Sequence, residues 1–176
     1  MAQKLMTIPN ERRHDERGLT LIETMIAAAI LLIVVVGLLN LFTVAMTTNQ
    51  QQGNLATRTT EYAQDKMEQL MAINYNDTTT NTAVYPIAPA GGTGLAVGGS
   101  MTIGAPVAGY VDYLDDTGNL LAGAAGASYT RQWMVTISVI SPTMKRIVVV
   151  VTSNVPGVVQ GLSPSTTVSC YKSNGI

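Results

Sequence analysis

Leu19 to Val44 carries a single charged residue, Glu23, and within it Met25 to Leu39 runs for fifteen residues without a polar side chain, counting Gly37 as neutral. Its 26 residues would form about 39 Å of helix at roughly 1.5 Å per residue. That is enough to cross a hydrocarbon core of about 30 Å. The pattern predicts a membrane-inserted N-terminal helix. Lys4, Arg12, Arg13 and Arg17 precede it, and the next charged residue after Glu23 is Arg58. Cations on one flank alone predict a cytoplasmic N-terminus, with the rest of the chain on the far side of the membrane.

Three targeting readings compete for residues 1–18. An ordinary secretory signal has a short apolar region and a small-residue cleavage site after it. Here the apolar run is too long, and Val44-Ala45-Met46 is a poor site. A lipoprotein signal needs a Cys directly after the run, whereas Cys170 is far away. The third reading is a polar leader cut before the apolar segment, which then stays in the mature protein. Gly18 is the natural cut point: it is small, and the helical pattern begins at the next residue.

The stretch Arg17-Gly18-Leu19-Thr20-Leu21-Ile22-Glu23 resembles the cleavage and methylation motif of type IV prepilins and pseudopilins. The resemblance implies that a prepilin peptidase cuts the Gly18–Leu19 bond and that the same enzyme N-methylates Leu19. The family most often has Phe at that position, and Leu is a departure from it. It also implies partners: that peptidase and methyltransferase, the inner membrane before assembly, and other pilins or pseudopilins met through the N-terminal helix. A bulky residue at Gly18 would block approach to an extended backbone; a plain helix-start residue is the other reading. Glu23 has two readings as well. An unpaired carboxylate deep in a bilayer costs on the order of 2.5–3.5 kcal/mol, so Glu23 either snorkels to the interface or pairs with the cationic amine of Leu19 on a neighbouring subunit. The second reading makes it a determinant of assembly register.

Composition narrows the function further. Apolar residues make up 47% of the 176, charged residues 12%, and net charge is −1. The chain is therefore no charge-solvated disordered segment, and nucleic acid is an improbable partner for so few cations. The one His, His14, falls in the leader; Cys170 is alone and forms no internal disulfide. No catalytic or cofactor motif is present, so the expectation is an assembly subunit, not an enzyme, and no cofactor.

Beyond the anchor (19–44), residues 45–75 read as a helical continuation. Leu55, Thr59, Tyr62, Ala63, Met67, Leu70 and Met71 recur at steps of three and four. Glu61, Asp65, Lys66 and Glu68 are assigned mostly to the opposite, solvated side. The run from Ala56 to Leu70 also resembles the corresponding region of PilV-like minor pilins and minor pseudopilins. Residues 76–109, rich in Gly, Pro and Thr, read as a surface loop that phosphate-loop spacing does not fit. Residues 110–176 read as strands. A hairpin turns at Asp115–Gly118, Tyr129 to Ile140 alternates, and Ile147 to Val151 is a β-branched run suited to a central strand buried on both faces. Thr166 to Cys170 suits an edge strand. The expected fold is α+β and pilin-like: a long N-terminal helix packed on a C-terminal antiparallel sheet.

Two polar features remain. Asp112, Asp115 and Asp116 are candidate calcium ligands, as calcium takes several oxygens from one loop and some pseudopilins bind calcium; a solvated turn is the alternative. Lys145-Arg146 reads as strand-end solvation. Three functions fit: a PilV-like minor pilin of a type IV pilus, a minor pseudopilin of a type II secretion system, and an uncleaved single-pass protein presenting a binding domain.

Overall fold

The computed structural model describes residues 20–84, 91–155 and 163–174. The chain divides into two compact units, Met1–Val44 and Ala45–Ile176, and helix α1 (Leu21–Ala72) supplies residues to both.

In the first unit, Thr20 caps the helix. The Glu23 N–H donates to the Thr20 carbonyl at 3.0 Å and lies 3.4 Å from its hydroxyl. Thr20 thus stands at the N-cap and Glu23 at the third helical position, and the acid sits in the first turn, where the helix dipole favours it. From Leu21 to Met46 the apolar side chains are exposed all round the helix. Thr24 and Thr43 donate their hydroxyls back to the carbonyls of Leu21 and Leu39, which satisfies them without water.

In the second unit the helix becomes one-faced. Thr59, Tyr62, Ala63, Lys66, Met67 and Leu70 are buried, and Ile73 follows on the same face. The sheet has strands β1 (Gly98–Gly99), β2 (Val111–Leu114), β3 (Leu120–Leu121), β4 (Tyr129–Ile137), β5 (Met144–Ser153) and β6 (Ser165–Ser173), and the buried helix face shares one core with β2, β4, β5 and β6. The sheet order is β3-β2-β4-β5-β6, with β1 paired to β4, and the pairings are antiparallel. Register aligns Trp133, Val149 and Val168 in one rung and Val135, Ile147 and Cys170 in the next. Paired residues share a face, and these rungs face the helix. Val148 and Val150 point the other way and are buried too. The neighbouring Gln132 amide donates to the carbonyls of Ser100 and Thr102 at 3.0 Å each, which ties that segment over the outer face. The β-branched run is thus a central strand covered on both sides, and β6 is an edge.

Four expectations need correction. Lys66 is on the buried face of α1, at the three- and four-residue spacing from Ala63 and Tyr62, because a counterion awaits it there. Lys145 is buried, its ammonium held by backbone carbonyls, while Arg146 is exposed as expected. The segment after residue 76 is more than surface loop: Leu95 is buried and β1 joins the sheet. There Gly99 has φ +88°, and a Cβ would lie 2.1 Å from the Trp133 carbonyl oxygen, so the strand approaches β4 only as glycine. Finally, β4 stops at Ile137 rather than Ile140: the Ser138 N–H makes the last bond to the opposite chain, to the Met144 carbonyl at 2.8 Å, and the Met144 N–H closes the turn onto the Ser141 carbonyl at 3.1 Å.

Candidate functional site

Two places in the chain concentrate chemistry. The first is the start of the anchor. Gly18 and Leu19, the expected cleavage and methylation positions, lie outside the described residues. Glu23 is described: it is exposed, in the first turn of α1, on a helix whose following residues are apolar on every side. Among the described residues, α1 is long and apolar enough to cross a membrane. Among the described residues Glu23 forms no ion pair.

The second is a chain of four charges between helix and sheet, three of them buried. Lys66 Nζ lies 2.7 Å from Asp112 Oδ2, with 1% and 2% of the two side chains exposed. Arg131 grips the same carboxylate from the other side, Nε to Oδ1 at 2.8 Å and Nη2 to Oδ2 at 3.0 Å. Its Nη1 donates to Asp65 Oδ2 at 2.7 Å, on a side chain that is half exposed. Lys66 also donates to the Thr82 carbonyl and lies 4.2 Å from the centre of the Trp133 ring. Two cations and two anions balance, which lets the group be buried at all. Burial lowers the Lys66 pKa to about 8, against the pull of Asp112. Burial opposes the charge of Arg131 as well, but its hydrogen bonds and attraction to Asp112 and Asp65 hold its pKa above the ordinary value. A cavity of about 390 Å³, lined by Glu61, Asp65, Gln69, Thr117, Gly118 and Arg131 among others, opens at the outer rim.

This geometry places the three aspartates in different settings. Asp112 is buried and spent on Lys66 and Arg131. Asp115 closes the β2–β3 turn: it accepts from the Thr117 hydroxyl at 2.7 Å, from the backbone N–H groups of Asn119 and Thr117 at 2.8 and 2.9 Å, and from the Asn119 amide at 3.0 Å. Those bonds, Thr117 first, pull its pKa down to about 2. Asp116 is exposed. Among the described residues no group of three or more His, Cys, Asp or Glu is placed to hold a metal ion. Arg131 had a legible signal: it interrupts the apolar side of an alternating strand, and a cation at a core position needs an anion opposite. Asp112 pairs with it across β2 and β4, a register that the sequence does not display.

The profile of the prokaryotic N-terminal methylation motif matches residues 13–39. No curated protein and no solved structure matches the chain. The motif supports a protein of type IV pilin or pseudopilin kind, structural rather than enzymatic. It implies processing by a prepilin peptidase and assembly with other pilins. With the apolar helix, it fits anchoring in the inner membrane before entry into a filament.

Proposed function

We propose that this chain is a minor pilin of the PilV-like kind, which enters or primes a type IV pilus through its N-terminal helix. The observation that carries the reading is the methylation motif running directly into a helix that is apolar all round. Such a helix is stable in lipid, or among identical helices, and not in water. In this reading residues 1–18 are removed at Gly18–Leu19, Leu19 becomes the methylated N-terminus, and the second unit stands in the periplasm. Glu23 then meets the new amine of a neighbour. An unpaired charge in an apolar bundle is costly, so pairing selects one axial offset between subunits more than it adds net stability.

Intact mass and N-terminal sequencing of the protein from membranes test processing: the expected product begins at methylated Leu19. A product beginning at Met1 and still incorporated into filaments overturns it and favours an uncleaved single-pass protein. Deleting the gene and scoring piliation against secretion tests the system served. Loss of piliation with intact secretion is expected; the reverse assigns the chain to a type II pseudopilus.

A further inference from the structure

The β4–β5 hairpin ends in an apolar finger. Ile137, Val139 and Ile140 are 54%, 101% and 75% exposed, and no charged residue lies between Arg131 and Lys145. The turn is built rather than frayed: the Ser138 N–H donates to the Met144 carbonyl, and the Ile140 N–H to the Ser138 hydroxyl at 3.1 Å. Three β-branched side chains held out on a turn where polar residues would serve the fold equally well point to a contact made elsewhere.

Directly behind the tip, the sheet register stacks Ile137, Lys145 and Lys172 in one rung and Thr136, Arg146 and Tyr171 in the next. Lys145 and Lys172 therefore share one face, and Arg146 and Tyr171 the other. The two lysines reach the backbone carbonyls of Tyr75, Leu95 and Met71, not carboxylates. Arg146 and Tyr171 are exposed. No Asp or Glu follows Asp116 in the sequence. The acids on the adjoining end of α1 and its next loop are Glu68 and Asp77, and Asp77 is occupied by Thr79 and Thr80. Behind the apolar tip thus stand one exposed cation, Arg146, and one exposed aromatic ring, Tyr171, with the carbonyl-held ammonium groups of Lys145 and Lys172 on the opposite face.

We propose that this finger inserts into an anionic lipid surface, with Ile137, Val139 and Ile140 at the acyl boundary and Arg146 and Tyr171 at headgroup level. Apolar side chains leading and a cation and aromatic following is the order of polarity met on entering a bilayer. The absence of acids from the supplying strands matches a negative surface. A specific protein partner is the poorer fit, since a stable interface takes about 800 Å² from each side, more than one turn presents.

The test uses the full chain with its anchor held in a nanodisc of zwitterionic lipid, so that the anchor itself does not bind added membrane. An environment-sensitive fluorophore is placed by Val139→Cys in a Cys170→Ser background. Vesicles of phosphatidylcholine containing phosphatidylglycerol should blue-shift the probe and raise its intensity severalfold. Pure phosphatidylcholine vesicles should do so much less, and salt should reverse the difference. Unlabelled protein should float with the anionic vesicles, and the double variant Val139→Asp, Ile140→Asp should not, with Trp133 fluorescence unchanged. No vesicle-dependent response overturns the proposal. So does a response that follows protein concentration without vesicles, which would assign the finger to a second copy of the chain.

Discussion

The Lys66 ammonium and the Asp112 carboxylate meet at 2.7 Å, almost wholly out of solvent, and neither is balanced by the other alone. Arg131 draws on the same carboxylate and hands its surplus to Asp65 at the rim. One acid on β2 therefore joins the helix, the edge of the sheet and its centre.

That sharing makes the members unequal. Asp112→Ala leaves Lys66 and Arg131 buried with only the half-exposed Asp65 between them, and should cost about 3–5 kcal/mol. Lys66→Met removes a desolvated cation together with its bonds to Asp112 and Thr82 but leaves Asp112 its two-point pair with Arg131, so a smaller loss of about 1 kcal/mol is expected. Urea unfolding of the full chain in micelles, followed by the single Trp133, measures both. Equal losses would show that Asp112 serves Lys66 alone.

Alkaline pH should strengthen the fold through Lys66. In the folded state its pKa is about 8, against 10.5 ordinarily. Between those values the unfolded chain binds the proton that the folded chain has released, so this group's contribution rises with pH across that window. Below it both states are protonated and the desolvation penalty is constant. Stability of wild type minus that of Lys66→Met should climb through the window; a flat difference would remove Lys66 as the cause.

Two glycines separate backbone strain from collision. Gly126 has φ +77° with open space where a Cβ would stand, while Gly99 adds a 2.1 Å clash with the Trp133 carbonyl to its φ of +88°. Gly126→Ala should cost about 1 kcal/mol, the left-handed penalty alone. Gly99→Ala must also part β1 from β4, and about 3 kcal/mol or more is expected from strain and the lost ladder bonds. Matched denaturation curves decide it, and similar midpoints for the two variants would mean that β1 yields easily.

Glu23→Ala should leave processing intact and reduce incorporation. It removes a first-turn acid, worth about 0.3–1 kcal/mol to the helix, which is too little to unfold a membrane helix. Immunoblots of membranes and of sheared filaments should show a normally cut subunit retained in the membrane. Wild-type levels in filaments would overturn its role in register.

The sequence by itself determined the anchor, the amphipathic half of α1 and the central strand. Each is written in a local repeat: an unbroken apolar run, steps of three and four, an unbroken β-branched run. Tertiary structure alone decided where the charges go. Lys66 looks solvated because charge normally is, and Asp112 looks like one of three neighbouring acids. Which side of the chain each falls on depends on partners 46 and 19 residues away along the chain. Strand register and the helix's seat on the sheet bring those partners together, and both are set by packing over the whole unit. The same packing ended β4 at Ile137 and left the hairpin tip bare, where alternation alone would have carried the strand on to Ile140.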